Sequence, residues 1–317
     1  MPPGANMAPA VRHVEVGPGE GGQRLDNFLL RTLKGVPRSH IYRLLRRGEV
    51  RVNGGRAKPE QRLEPGDSVR LPPVRVAEEA PPGVVPERLR AELRAAVIHE
   101  DARVVVLDKP AGLAVHGGSG LSFGVIEILR ADRPDAELEL VHRLDRDTSG
   151  VLVVAKDRAS LRLLHGLLRE GEVEKTYLAL LKGRWSLGTK TIDAPLKTNL
   201  RQGGERVVKV HVEGKQAAST FRPLRRLGAR ATLMEVAIHT GRTHQIRVHA
   251  AFAGHPIGGD DKYGDREFNA ELKSLGLKRM FLHAHAMAFT WPDTGQRCKV
   301  VAGLPDELKA VVERLEA

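Results

Sequence analysis

The chain has 317 residues, with 51 Lys and Arg against 39 Asp and Glu, a formal charge of +12, and one cysteine, Cys298. A single thiol excludes an internal disulfide and a cysteine-rich zinc site, and no run approaches the ~20 consecutive apolar residues of a membrane span. With 41% hydrophobic and 28% charged residues, the composition is that of a soluble globular protein, expected in the cytoplasm, and the excess of positive charge favours a polyanionic partner, foremost nucleic acid.

Residues 1–22, rich in Gly and Pro and without a hydrophobic period, read as a flexible tail. A compact basic unit is predicted over residues 23–75, where 13 Lys and Arg stand against 5 Asp and Glu. Leu25, Phe28, Leu29 and Leu33 mark one face of a helix that Gly35 and Pro37 end. Ser39 suits the N-cap of a second helix, with Ile41, Leu44 and Leu45 inward and Gly48 at its end. Val50 to Asn53 reads as a strand entering a tight turn at Gly54-Gly55, and Ser68 to Leu71 as a closing strand. On the second helix Arg43, Arg46 and Arg47 lie away from the apolar face, flanked by Arg38 and Arg51, a pattern that can track a phosphate backbone. The wording RLDNFLL, RSHIYRLLRRGEVRVNG and LEPGDSVRLP resembles the S4 RNA-binding domain.

The run EEAPPGVVPER places a linker at residues 76–90. A larger domain is predicted over residues 91–317, with strands at Val104–Leu107, Gly150–Ala155, Lys175–Leu181, Ala231–Ile238, Met280–Phe289 and Cys298–Ala302. Helices are expected near Ser122–Arg130, Ala159–Arg169, Thr243–Phe252 and Pro305–Leu315. Strands without regular βαβ alternation imply an α+β fold with a mixed or antiparallel sheet.

Three segments carry candidate chemistry. In VHRLDRDTSGVLVVAK a polar loop separates two strand-like runs, and Asp145 and Asp147 are its carboxylates. Taken alone, that loop fits a paired-acid glycosidase or a plain Asp-rich turn equally well. In HTGRTHQIRVH, Gly241 permits a sharp turn, and Arg242 beside it is suited to a bidentate pair with a carboxylate. In VEKTYLALL, Tyr177 interrupts an apolar strand, where core packing is the default role of a tyrosine.

Together HRLDRDTSG, EKTYLALL and TGRTHQIRVH, with LDKPAGLAVHGG and HPIGGDDKYGD, resemble the RluA-type pseudouridine synthase family, in the family's order. The finer wording is similar to the members that modify several uridines of bacterial 23S ribosomal RNA. Asp108 departs from the pattern, which more usually has asparagine before Lys109-Pro110. The resemblance implies an isomerase that needs no cofactor or metal and acts as a monomer on 23S rRNA. It implies Asp145 as the catalytic carboxylate, Arg242 as its ion-pair partner, Tyr177 against the uracil ring, and Arg143 filling the gap left by a flipped uridine.

Other classes fit less well. A non-catalytic S4-type RNA-binding or ribosome-assembly factor would not need Asp145, Tyr177 and Arg242 together. Gly120-Leu121-Ser122-Phe123-Gly124 matches a hydrolase elbow, but the HGGSG run before it is no buried strand. His239, His244 and His249, or His283 and His285, lack the partners that complete a metal site.

Overall fold

The computed structural model describes residues 11–33, 36, 38–74, 84–117, 123–202 and 205–316. It divides into two units, Met1–Gly83 and Val84–Ala317.

In the first unit, helices Leu25–Thr32 and Arg38–Arg47 accompany a four-stranded antiparallel sheet in the order Arg12–Glu15, Ser68–Leu71, Arg51–Val52, Gly55–Arg56. The predicted helix faces are the buried ones: Leu25, Phe28, Leu29 and Leu33 on the first, Ile41, Leu44 and Leu45 on the second. Gly35 and Pro37 lie outside the described residues. Three local expectations are corrected. Residues 12–15, assigned to the tail, form an edge strand, because Val14 and Val16 alternate into the core beside Val69 and Leu71. The second helix begins at Arg38, so Ser39 is inside it and does not cap it. The hairpin turn is Asn53-Gly54, not Gly54-Gly55. Both residues have positive φ, 50° and 77°, as the tight primed turns of hairpins require.

The second unit is built on a ten-stranded sheet. Its main path runs Lys190–Asp193, Ala218–Leu227, Ala231–Ile238, Glu174–Lys182, Leu282–Thr290, Ser149–Ala155, Val104–Lys109, Val97–Glu100. Pairing is antiparallel except between Leu282–Thr290 and Ser149–Ala155, so the sheet is mixed, as the lack of βαβ alternation implies. Every residue of Ser149–Ala155 is buried. Leu152 and Val154 face one apolar cluster while Val151, Val153 and Ala155 face another, so this strand is the middle layer of a two-sided core.

The linker expectation is also corrected. A helix, Glu87–Ala95, starts inside residues 76–90, because Leu89 and Leu93 sit four apart and pack on the domain core. Residues 76–83 of that linker lie outside the described residues, as does Ser122; the following helix spans Val125–Asp132 and is capped at Gly124. A strand at Ala218–Leu227 escapes prediction because ASTFRPLRRL exposes its arginines and carries a bulge between Pro223 and Arg225.

Candidate active site

The loop 141–148 delivers Asp145 from between the short strand Glu139–Leu140 and the buried strand Ser149–Ala155. Its shape is fixed from several sides. The Thr148 amide donates to the Asp145 carbonyl at 3.1 Å, and the Val153 amide donates to His142 Nε2 at 3.1 Å. Gly150, which follows the loop, has φ of +110°, and a Cβ there would lie 2.2 Å from the Ala284 carbonyl oxygen. Only glycine allows the neighbouring strand to come this close.

Beneath the loop lies Lys109, fully buried. Its Nζ donates to the carbonyls of Pro110 at 2.7 Å, Leu113 at 2.8 Å and Arg146 at 3.1 Å. Burial pushes its pKa down to about 7, while the three acceptors saturate the ammonium and hold the residue after Asp145. Lys109→Met leaves three carbonyls without that donor. It is expected to cost about 1–3 kcal/mol, read as a lowered denaturation midpoint, with a fall in turnover as the loop loosens.

Asp145, with 21% of its side chain exposed, opens into a cleft of about 450 Å³ that Tyr177, Arg143, Arg242, His244 and Arg247 also line. The cleft is of ligand-binding size. The expected partner of Asp145 is corrected here. Arg242 is exposed and its Nε donates to the Gln216 carbonyl at 3.0 Å. The arginine facing the carboxylate is Arg247, whose Nη1 lies 3.5 Å from Asp145 Oδ2. Two features produce this. Gln245, buried, accepts the Arg242 amide at 3.0 Å and the Thr240 hydroxyl at 2.6 Å and donates to the Ala218 carbonyl, which ties the turn down with Arg242 on the rim. The helix Gln245–Phe252 then begins, and Arg247 in its first turn points into the cleft. The left-handed residue of this turn is His244, with φ of 54°, and not Gly241; a non-glycine in this region is a strained conformation typical of functional loops.

Arg247 is held independently of Asp145. Its Nε and Nη2 donate to the two oxygens of Asp260 at 2.7 and 2.8 Å, a bidentate pair in which Asp260 is 1% exposed. Burial pushes the Asp260 carboxyl up, but the Arg247 hydrogen bonds and the amides of Tyr263 and Lys262 outweigh it and leave the pKa below the ordinary value. The guanidinium also lies over the Tyr263 ring at 5.0 Å. The Tyr263 hydroxyl accepts the Val208 amide at 3.0 Å and lies 2.8 Å from His244 Nδ1. The other ring nitrogen, Nε2, is 3.9 Å from Asp145 Oδ2. Burial holds the His244 pKa below its ordinary value, against the pull of Asp145, so the neutral form prevails at pH 7.

Tyr177 is 9% exposed and faces the cleft from the strand Glu174–Lys182. Burial and then the nearby Asp145 charge push its phenol well above the usual tyrosine value. The hydroxyl therefore stays protonated, and the pH–rate profile should show no tyrosine limb below about pH 10.

His249 is buried between the Ser219 hydroxyl and the Ala194 carbonyl. His283 and His285 both reach the Ala302 carbonyl, at 3.1 and 2.8 Å. Each is a satisfied structural histidine. In the first unit, Arg43, Arg46, Arg47 and Arg51 are exposed, and the Arg38 side chain lies outside the described residues. Sequence reading missed Lys109, His244, Arg247, Asp260 and Tyr263. A lone arginine in the helix QIRVHAAF was the available signal, because a cation on an otherwise apolar helix needs a buried acid.

Residues 103–252 match the family described as RNA pseudouridylate synthase, and residues 23–69 match the S4 domain. The chain is 55% identical over 313 residues to ribosomal large subunit pseudouridine synthase C of Salmonella typhi, covering 98% of each chain. It is also 55% identical over 311 residues to the protein of that name from Escherichia coli strain K12, covering 97% of each. Among solved structures, human RNA pseudouridylate synthase domain containing 4 is 28% identical, with a TM-score of 0.59 over 72% of this chain and 95% of that one.

Proposed function

Because this chain belongs to the RNA pseudouridylate synthase family, we propose that it isomerises several uridines of 23S ribosomal RNA, as a monomer in the cytoplasm. The observation that carries this reading is the charge pattern of the cleft. Among the described residues Asp145 is its one lining carboxylate, while Arg143, Arg169, Lys175, Arg242 and Arg247 also line it. Such a cleft suits one nucleotide of a polyanion, presented to one acid.

In the reaction the uracil N1–C1′ bond breaks, the base turns, and C5 bonds to C1′. The C5 proton leaves and N1 gains a proton, so atoms and electrons balance within the substrate. Asp145 acts on the ribose, either as a nucleophile at C1′ or as a base toward the C2′ proton, and both roles need the carboxylate unprotonated. Arg247, fixed by Asp260, holds Asp145 in place, with the His244 ring beside the carboxylate. Tyr177 packs against the uracil ring, and Arg143, exposed at the cleft mouth, occupies the vacated stack. Arg242 on the rim contacts the RNA backbone.

The direct test is release of tritium from uracil C5 in a labelled large-subunit rRNA transcript incubated with the protein. Stoichiometric release supports the reading, and none in the presence of bound RNA opposes it. Arg38, Arg43, Arg46, Arg47 and Arg51 are proposed to grip rRNA phosphates. Deleting residues 1–83 should weaken RNA binding and flatten its salt dependence, with each lost phosphate contact removing about 0.7–0.9 from the slope of log K against log salt. An unchanged slope would remove the RNA-binding role of that unit.

A further inference from the structure

Lys175 has no role in the chemistry just described, yet it stands in the cleft. It lies two residues before Tyr177 on the strand Glu174–Lys182, so both side chains leave the same face of the sheet. Both line the cleft with Asp145. Among the described residues Lys175 meets no carboxylate and no hydrogen-bond acceptor, whereas Lys182, at the far end of the same strand, pairs with Asp265 at 2.6 Å. Arg143 and Arg169, which line the same cleft, likewise have no ion-pair partner among the described residues. Burial pushes the Lys175 ammonium below its ordinary value, with no compensating charge. An unpartnered, largely desolvated ammonium is costly in the free protein. An arriving anion relieves that cost.

We propose that Lys175, assisted by Arg169, is a phosphate subsite that holds the backbone of the nucleotide whose ribose meets Asp145. The proposal rests on the uridine-isomerising reading of the cleft and adds to it a residue that seats the substrate. Two residues along a strand span ~6.6 Å, so with the uracil ring on Tyr177 the ammonium falls at the distance of the sugar-phosphate, beyond the base. A neutral uracil carbonyl would need one donor, whereas two unpaired cations match a phosphodiester. A lysine that merely covers apolar surface would carry its head out to bulk water; this one ends inside the cleft.

The experiment uses the full chain and a large-subunit rRNA fragment containing one mapped target uridine. The linkages 5′ and 3′ of that uridine are each replaced, in separate RNAs, by a neutral methylphosphonate. Single-turnover rates are measured for wild type, Lys175→Met and Lys175→Arg. Lys175→Met should slow the native RNA roughly tenfold, as loss of one charge-assisted hydrogen bond does, and Lys175→Arg should recover most of that rate. One of the two methylphosphonate RNAs should slow wild type to the same degree and have no further effect on Lys175→Met. The result that overturns the subsite is a methylphosphonate penalty equal in wild type and Lys175→Met at both linkages, or no penalty at either. The wild-type comparison between RNAs stands even if Lys175→Met folds poorly. Wild type that forms pseudouridine in no RNA refutes the enzymatic reading and the subsite with it, whereas an active wild type with an unaffected Lys175→Met refutes the subsite alone.

Discussion

Asp145→Asn is expected to eliminate turnover, by about 10⁴-fold or more, and to leave RNA affinity where it was. The amide has the shape of the carboxylate but supplies neither a nucleophile nor a base to the ribose. The surrounding architecture does not depend on the charge of Asp145. The loop is held through the carbonyls of Asp145 and Arg146 and through His142. Arg247 keeps its bidentate pair with Asp260 when Asp145 is neutralised. The melting temperature of the variant should therefore stay close to that of wild type. Binding should hold because the cations that line the cleft are untouched. Single-turnover rates and filter binding on the same preparation separate the two effects. An Asp145→Asn protein with more than a tenth of wild-type activity would mean that another group does the chemistry.

The second large effect separates two arginines five residues apart. Arg247→Met strands Asp260, 1% exposed, without the guanidinium that neutralises it. Breaking such a buried pair by removing one partner costs about 3–5 kcal/mol, and the loss should appear as a much lower denaturation midpoint. Turnover should fall by roughly a hundredfold or more, because Asp145 loses its guanidinium neighbour and the Tyr263 ring loses the cation above it. Arg242→Met removes an exposed side chain with one carbonyl contact. Its stability should be unchanged within about 0.5 kcal/mol, and its effect should be confined to a modest loss of RNA affinity. If Arg242→Met proved the more damaging of the two, the site as described would be wrong. Asp260→Asn should resemble Arg247→Met in stability and in turnover, since it loosens the same pair from the other side.

Much of this arrangement was legible before any coordinates. The amphipathic helices of the first unit and the apolar strands of the second follow from residue spacing, because side-chain burial on one helix face or on alternate strand positions leaves a periodic trace. The strand ASTFRPLRRL left none: most of its second half is exposed, so its arginines hide the alternation. The strand Arg12–Glu15 was masked by its glycine- and proline-rich surroundings, though Val14 and Val16 carry the pattern. Asp145, Tyr177 and Arg143 were reached through the family resemblance, and they line one cleft.

The ion-pair assignment shows what spacing cannot give. Arg242 and Arg247 share one motif, and the choice between them depends on where the helix begins. That point is set by a glutamine side chain, Gln245, tied across to Ala218 and Ser219, 26 or more residues earlier in the chain. Asp260, Tyr263 and Lys109 stand in the quoted segments HPIGGDDKYGD and LDKPAGLAVHGG, but they act through contacts with residues distant in sequence, so local spacing does not give their roles. Lys109 in particular sits 37 residues from the carbonyl of Arg146 that it holds. A buried lysine against three carbonyls is a tertiary arrangement, visible only once the strand and the loop are side by side.

The most direct test of the central claim is pseudouridine mapping on unmodified 23S rRNA incubated with wild type beside Asp145→Asn. The account predicts new pseudouridines at a small set of positions with wild type and none with Asp145→Asn, at equal RNA occupancy. The same positions modified by both proteins, or none modified by wild type while the RNA is bound, would contradict it.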